Sequence, residues 1–428
     1  MSSNALTVVT PIQPDKEKEL DALLSEIGED IDNKTGRHIG FARLTTVHFL
    51  RWVILPADNE GERHYPPQLA FESNYDGPLD AHLEELIRVG GPVLARIYGY
   101  CAGCPADVAG SVESFKRFLK NHQLPCAAFY RGYPNHGVQD VRENTRARRA
   151  IQDFLDDPKR AATLRGLQPE QLCQEIQKYL ATVPGLKLER DPAPKPSLLD
   201  RFVGRLMDSR RVQLAVGIPV GLLLLPVLVP ATLLLMWKES RDEAEPKMED
   251  VVDPRVEGQE DYMVQNQLTH LVEVRPGWFR QRTLRAVLGG IDFLARHYYN
   301  RGNLGGIPSI HFARWVIIDG GRRLLFFSNY DGSWERYLGD FIDRAAVGLT
   351  GVWSNTRGYP KTRLLFGQGA THEEEFKQWT RDHQLYTQVW FSAHPDESVR
   401  NILQNVAVCA QLKAQLKSQE AEQWLLKL

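Results

Sequence analysis

The sequence predicts an α+β protein built from two copies of one unit, with a long apolar segment inserted between them. Three observations carry this reading. The five residues SNYDG stand at 73–77 and again at 328–332. Around them four blocks match in the same order: LTVVTPIQP from Leu6 with LTHLVEVRPG from Leu268, HFLRWVIL from His48 with HFARWVII from His311, LAFESNYDG from Leu69 with LLFFSNYDG from Leu324, and FKRFLKNHQLPCAAFYRGYP from Phe115 with FKQWTRDHQLYTQVWFSAHP from Phe376. Blocks that stay in register over about 130 residues are the mark of a duplicated domain. Between the copies, residues 214–237 run LAVGIPVGLLLLPVLVPATLLLMW without a charge.

Each copy reads the same way along the chain. A β-rich run (residues 6–10 and 268–274) ends in Pro and leads into a helical stretch, KEKELDALLSEIG or RQRTLRAVLGGIDFLARH, where the apolar residues recur at helical spacing. Two strands follow. In the second copy they are joined by DGG at 319–321, a tight-hairpin signal, and in the first by a longer Pro-rich loop around Pro66 and Pro67. A helix comes next, with Leu79, Leu83, Leu86 and Ile87 on one stripe in the first copy and Trp334, Tyr337, Leu338, Phe341 and Ile342 in the second. A loop, a helix at FKRFLKNH or FKQWTRDH, and a final strand complete the unit. The order β-α-β-β-α-β is the ferredoxin-like split motif. Helices cover only one face of such a sheet, so the other face needs a partner. The second copy is the obvious one, giving two tandem ferredoxin-like domains packed as an intramolecular barrel; the competing arrangement pairs each copy with its counterpart in a second chain.

The apolar segment exceeds the ~20 residues needed to cross a bilayer and shows no polar stripe, so a membrane segment is expected at 212–238, with Trp237 at an interface. Before it, KPSLLDRFVGRLMDSRR sets apolar residues at helical spacing among arginines, as in a helix lying on an anionic surface. After it, KESRDEAEPKMEDVVDPRVEGQED is acidic and without periodicity, a solvated linker. Lys and Arg are denser before the segment than after it, which for a single crossing puts the first copy in the cytosol. Pro219, Pro226 and Pro230 also allow a re-entrant hairpin. Packing of the copies into one barrel requires a shared compartment and favours the hairpin, with both domains facing the cytoplasm. The expected layout is a first domain at 1–155, a helical spacer and basic helix at 156–211, the membrane segment at 212–238, an acidic linker at 239–261 and a second domain with a C-terminal helix at 262–428.

Composition excludes several classes. In 428 residues the formal net charge is −2 and 43% are hydrophobic, so there is no global basic field and no nucleic-acid partner is expected. Five cysteines are few and odd in number and read as reduced thiols. Cys101 and Cys104 form a lone Cys-x-x-Cys without a second pair, weak support for a metal or redox site. The run Arg142, Arg146, Arg148 and Arg149 reads as a solvated or lipid-facing helix face, and the closing stretch 398–428 as a helix packing on the barrel or on another chain.

The element order resembles the dimeric α/β-barrel superfamily, over most of both copies. Within that architecture SNYDG is similar to the Gly-x-x-Asp-Gly motif of dye-decolourising haem peroxidases, with Ser73 and Ser328 in place of the first Gly. That resemblance implies Asp76 and Asp331 as acid–base groups, Arg51 and Arg314 as charge-stabilising partners, and His48, His311, His383 or His394 as cofactor-binding residues toward haem. The structural reading of the same motif places Asp76 and Asp331 near the N-cap of the helix that follows. A monooxygenase-like relative in the same fold would use Trp and Tyr side chains such as Trp52, Trp315, Trp334, Trp353, Trp390 and Tyr330 to line an apolar pocket, although such residues are commonly core. Two functions are therefore expected: an oxidoreductase acting on a lipophilic or aromatic substrate, with haem as a candidate cofactor, or a non-catalytic binding or scaffold module. The expected partners are membrane lipid, a small lipophilic substrate and a second copy of the chain.

Overall fold

A computed structural model describes residues 3–58, 64–186, 195–242, 253–299, 302–412, 414 and 416–428, with the side chains of Gly221 and Leu228 outside the described set. The first copy runs β1 (Ser3–Pro11), α1 (Glu17–Glu29), β2 (Val47–Leu55), β3 (Gln68–Asp76), α2 (Leu79–Gly99), α3 (Val112–Asn121) and β4 (Ala128–Arg131). Helices α4 (Val138–Asp156), α5 (Pro158–Leu164), α6 (Pro169–Thr182), α7 (Leu198–Asp208), α8 (Arg210–Glu239) and the short α9 (Pro254–Glu257) follow. The second copy runs β5 (Gln265–Glu273), α10 (Trp278–His297), β6 (Ile310–Ile318), β7 (Arg323–Asp331), α11 (Trp334–Trp353), the two-residue strands β8 (Thr362–Arg363) and β9 (Gly367–Gln368), α12 (Glu373–Asp382) and β10 (Val389–Ser392). It closes with α13 (Val399–Cys409) and α14 (Ser418–Leu425).

The eight main strands form two four-stranded sheets, in the orders β1-β3-β2-β10 and β4-β6-β7-β5. The last strand of each copy has therefore left its own sheet for the other: β10 pairs with β2, from Trp52 to Phe49, and β4 pairs with β6, from Trp315 to Phe312. The exchange also closes the barrel. Before crossing, each chain runs along the first strand of its own copy, where Gln123 bridges Val8 and Gln384 bridges His270. There the amide of Leu124 donates to Thr7 O and that of Leu385 to Thr269 O. A closed sheet leaves no unpaired edge.

Period-2 patterning sorts the side chains. Leu50, Trp52, Leu69 and Phe71 join Leu20, Leu24, Leu83 and Leu94 in a core under the helices of the first copy, and Trp315, Leu324 and Phe326 pack with Leu284, Leu338 and Phe341 in the second. The inner faces meet through Val53, Leu55, Ala70, Val316, Ile318, Leu325 and Phe327. Helices α4, α6, α13 and α14 build a separate cluster around Ile151, Phe154, Ile176, Leu180 and Trp424.

The apolar insert requires a correction. Among the described residues, no helix is long and apolar enough to cross a membrane. The membrane segment expected at 212–238 belongs instead to α8, a single 30-residue helix with Pro219, Pro226 and Pro230 inside it and no reversing turn, so there is no re-entrant hairpin. Each proline removes a backbone donor. The uncharged run at 214–237 lies within that helix. The assignments as a membrane protein with a transmembrane helix, and the placement at a membrane with domains facing the cytoplasm, rested on that run and fall with it. Trp237, expected at a lipid interface, carries the Arg241 guanidinium 4.1 Å above its ring. The Glu239 carboxylate is tied to the amides of Leu364 and Leu365, 2.8 Å each. The basic helix before the insert is α7, which docks on the end of α10: Asp200 meets His297 at 2.7 Å and Tyr298 donates to Asp208 at 2.7 Å. Residues 243–252 of the acidic linker lie outside the described residues.

Candidate functional site

The SNYDG repeats resolve into a joint with two faces. Ser73 and Tyr75, like Ser328 and Tyr330, turn toward the helices, whereas Asn74, Asp76, Asn329 and Asp331 turn inward. Gly77 and Gly332 then take left-handed backbone, with φ of 84° and 83°, which glycine adopts at little cost. Tyr330 stacks on Tyr337 of α11 at 3.8 Å, and the Tyr337 hydroxyl donates to Ser328 Oγ at 2.6 Å. In the first copy the matching partner is His82, stacked on Tyr75 at 4.0 Å.

The strand arginines cross the barrel and bind the backbone of the opposite copy. Arg51 donates to Leu268 O (3.1 Å), Thr269 Oγ1 (3.1 Å), Ser328 O (3.0 Å) and Asn329 Oδ1 (2.5 Å). Arg314 repeats the set on Leu6 O (2.7 Å), Thr7 Oγ1 (3.2 Å), Ser73 O (2.9 Å) and Asn74 Oδ1. One carboxylate serves both: Glu72 lies 2.5 Å from Arg51 Nε and 3.1 Å from Arg314 Nη2. Position 327, which matches Glu72, is Phe, so two buried guanidinium groups share one buried counter-charge.

The inner aspartates do not cap the helices that follow them. Pro78 and Ser333 occupy those N-caps. Each carboxylate instead accepts the first amide of the helix after its copy's exchanged strand, Val138 N on Asp76 Oδ2 and Val399 N on Asp331 Oδ2, both at 2.7 Å. The other oxygen takes a histidine of the same copy: His48 Nε2 lies 3.0 Å from Asp76 Oδ1, and His311 Nε2 2.7 Å from Asp331 Oδ1. Register slips at both histidines, between Val47 and Phe49 and between Ile310 and Phe312. Such a bulge re-aims a side chain, and it lets His48 and Phe49, adjacent in sequence, both enter the barrel end. Burial pushes the Asp76 carboxyl up, but hydrogen bonds from His48, Val138 and Ser3 and the His48 charge outweigh it, leaving Asp76 below the usual carboxylate range.

The exchanged strands add Tyr133 and His394, which follow β4 and β10 at matching positions. The Tyr133 hydroxyl is 3.0 Å from His311 Nδ1 and 3.0 Å from His394 Nε2. The hydrogen-bond pattern assigns the protons. The Asp331 carboxylate takes the Nε2 proton of His311, so a neutral His311 accepts the Tyr133 hydroxyl through Nδ1, and the Tyr133 oxygen accepts from His394 Nε2. Asp331, His311, Tyr133 and His394 thus form one hydrogen-bonded chain, buried except at Asp331. Burial, reinforced by Asp331 and Asp76, holds the Tyr133 phenol well above its usual range. Burial, together with the neighbouring His48, His311 and Arg142, holds His394 well below the usual histidine range.

His394 also stands in the wall of a cleft of about 490 Å³ between α4, α6 and the turn from β10 to α13, whose lining includes Arg142, Arg146, Arg149, Tyr179 and Glu397. Only 6% of His394 is exposed, and its Nδ1 has no hydrogen-bond partner. Sequence reasoning missed Tyr133. Its signal was the alignment of FYRGYP with WFSAHP, which sets a phenol opposite an imidazole before the same proline.

Of the residues expected around a haem, Asp76, His48, Asp331, His311 and His394 meet at one end of the barrel, but neither arginine nor His383 joins them. Arg51 pairs with Glu72 in register, four strand positions from Asp76, or about 13 Å at strand rise, so no Asp–Arg pair forms in either copy. His48 and His311 are held by the two aspartates, and His383 Nδ1 faces Trp379 O at 2.8 Å at the end of α12. Neither described cleft is lined by Asp76, Asp331, Arg51 or Arg314. The arrangement does not fit the haem site that the peroxidase resemblance implies. Among the described residues no cluster of ligating side chains suits a metal ion. Cys101 is buried, and its thiol is pushed up to about 12 by that burial, the reverse of an activated redox cysteine. The expected aromatic lining is core: Trp52, Trp315, Trp334, Trp353 and Tyr330 are buried under the helices. Comparison with protein families, curated proteins and solved structures finds no match to this chain.

Proposed function

We propose that the chain acts on a small organic molecule bound in the cleft beside His394. There His394 exchanges a proton with the bound molecule, and Tyr133, His311 and Asp331 relay that proton behind it. The observation that carries this reading is the unbroken hydrogen-bonded chain from the partly buried Asp331 carboxylate to a histidine in a cleft wall, with an orienting carboxylate, a central imidazole and a hydroxyl in the roles such relays use. Oxidoreductase chemistry on an aromatic molecule fits these groups. A phenol held beside a neutral imidazole can pass its proton as electrons move between the substrate and an oxidant such as peroxide or dioxygen, so that no unpaired charge is left in the buried site.

A second reading, a binding module without chemistry, is favoured by the spending of Arg51, Arg314, Asp76 and Asp331 on barrel and helix contacts. One experiment separates the two. A panel of substituted phenols and aromatic acids is screened for peroxide or oxygen consumption by wild type, Tyr133→Phe and His394→Gln. Turnover in wild type that both variants lose, at melting temperatures within a few degrees of each other, supports the relay. Ligand binding without turnover in all three leaves the binding module.

A further inference from the structure

The cleft beside His394 has a wall chemistry that specifies its ligand. Arg142, Arg146 and Arg149 are spaced four and three apart on α4 and line it from one side, as neighbours on one helix face. Their partners differ. Arg149 lies 3.8 Å from the Asp396 carboxylate. Arg146 donates only to backbone oxygens, Gly185 O at 3.1 Å and Pro184 O. Half-buried Arg142 reaches only Leu44 O, at 3.5 Å. Among the described residues, neither Arg142 nor Arg146 has a carboxylate at ion-pair distance. Among the described residues, the hydrogen-bond partners of these two lining guanidinium groups are backbone oxygens, and a planar fork of donors is suited to bind a carboxylate.

The rest of the lining is apolar in part, from Ala150 on the same helix and from Tyr179, Val183, Ala393 and Pro395. The remaining acids of the lining are Asp153, Asp396 and Glu397. Asp396 is taken by Arg149, and Glu397 accepts from Asn405 at 3.3 Å. A site with two cations and an apolar stretch of wall matches a molecule with an acidic group and an apolar body.

We propose that the cleft is a binding site for a small aromatic carboxylic acid, its carboxylate held by Arg142 and Arg146 and its ring against Tyr179 and Val183. This rests on the reading of the cleft as the functional site and adds the class of molecule it takes.

Benzoate is the probe, titrated into the full-length protein by calorimetry and followed by NMR, against benzyl alcohol and inorganic phosphate. Saturable benzoate binding is expected, with benzyl alcohol and phosphate each weaker by about tenfold or more. Arg142→Gln with Arg146→Gln should remove the preference for benzoate over benzyl alcohol, and Val183→Asp should weaken benzoate while sparing phosphate. Benzoate affinity unchanged in the double arginine variant overturns the proposal, as does phosphate binding as tightly as benzoate. Failure of the two proposals is distinguishable: benzoate binding without turnover of any panel member removes the relay and keeps the site, and turnover insensitive to the arginine pair removes the site and keeps the relay.

Discussion

Tyr133 and His394 occupy matching positions in the two copies and are hydrogen-bonded to each other, hydroxyl to Nε2 at 3.0 Å. Residues 261 apart in the chain meet because each follows a strand exchanged into the other copy's sheet, so both arrive at the same end of the barrel. The positions are equivalent in the duplicated unit, and a phenol at one with an imidazole at the other makes the contact directional.

Removing the hydroxyl tests the energetic side of that contact. Tyr133→Phe leaves His311 Nδ1 and His394 Nε2 buried without their partner, and an orphaned buried polar group costs about 1–3 kcal/mol. Urea unfolding of the variant should show a loss in that range with an unchanged denaturant slope. A stability equal to wild type would mean that the two histidines do not depend on the phenol.

Glu72 is the single counter-charge for two buried arginines. Glu72→Phe reproduces the second copy's residue but leaves Arg51 and Arg314 uncompensated, and breaking a buried pair in this way costs about 3–5 kcal/mol. Phe327→Glu in the same chain restores a carboxylate beside Arg314, whose Nε has no hydrogen-bond partner, and should recover stability. Equilibrium unfolding of the single and double variants checks both, and a loss below about 1 kcal/mol for the single change would show that Glu72 does not offset the two cations.

His82 makes the fold acid-sensitive. Burial pushes its imidazole down to about 3, whereas an unfolded histidine titrates near ~6.5. Between those values the unfolded chain binds the extra proton, so the neutral-pH stability is intact above ~6.5 and is lost as pH falls toward about 3, by an amount on the order of a few kcal/mol. His82→Tyr copies Tyr337 of the second copy and offers a donor to Ser73 Oγ, which has no partner. Urea midpoints measured from neutral pH to pH 4 should fall less steeply in His82→Tyr than in wild type; parallel profiles would remove His82 as the cause.

The strand exchange predicts how the halves behave apart. Residues 1–186 expressed alone lack β10 for one sheet, and residues 253–428 lack β4 for the other. Each should be unfolded or aggregated alone because of its bare sheet edge, and the two together should form a one-to-one complex with the circular dichroism of the full chain less the helices α7 and α8. Independent, monomeric folding of either half would contradict the exchange.

Much of the architecture was legible. The helices and strands were visible because apolar periodicity of 3.6 or 2 is a local property, and the duplication because four blocks keep their order. The site was legible only as residue types. His48, Arg51 and Asp76 were singled out from the motif blocks, but which of them would meet depended on which strand lies beside which. Asp76 was expected to cap the helix two residues on; it caps the one that begins at Val138, because the crossing of β4 carries that helix back over the end of β3.

By itself the sequence determined a duplicated α+β unit and the Asn and Asp at the end of each third strand. Only the tertiary structure decided that the last strands change sheets, that each arginine binds the opposite copy, and that Tyr133 lies between two histidines. The physical reason is that strand patterning fixes which face a side chain occupies, while its neighbour is set by edge pairing. An unpaired edge is satisfied equally well by its own copy or by the twin, and nothing local distinguishes them.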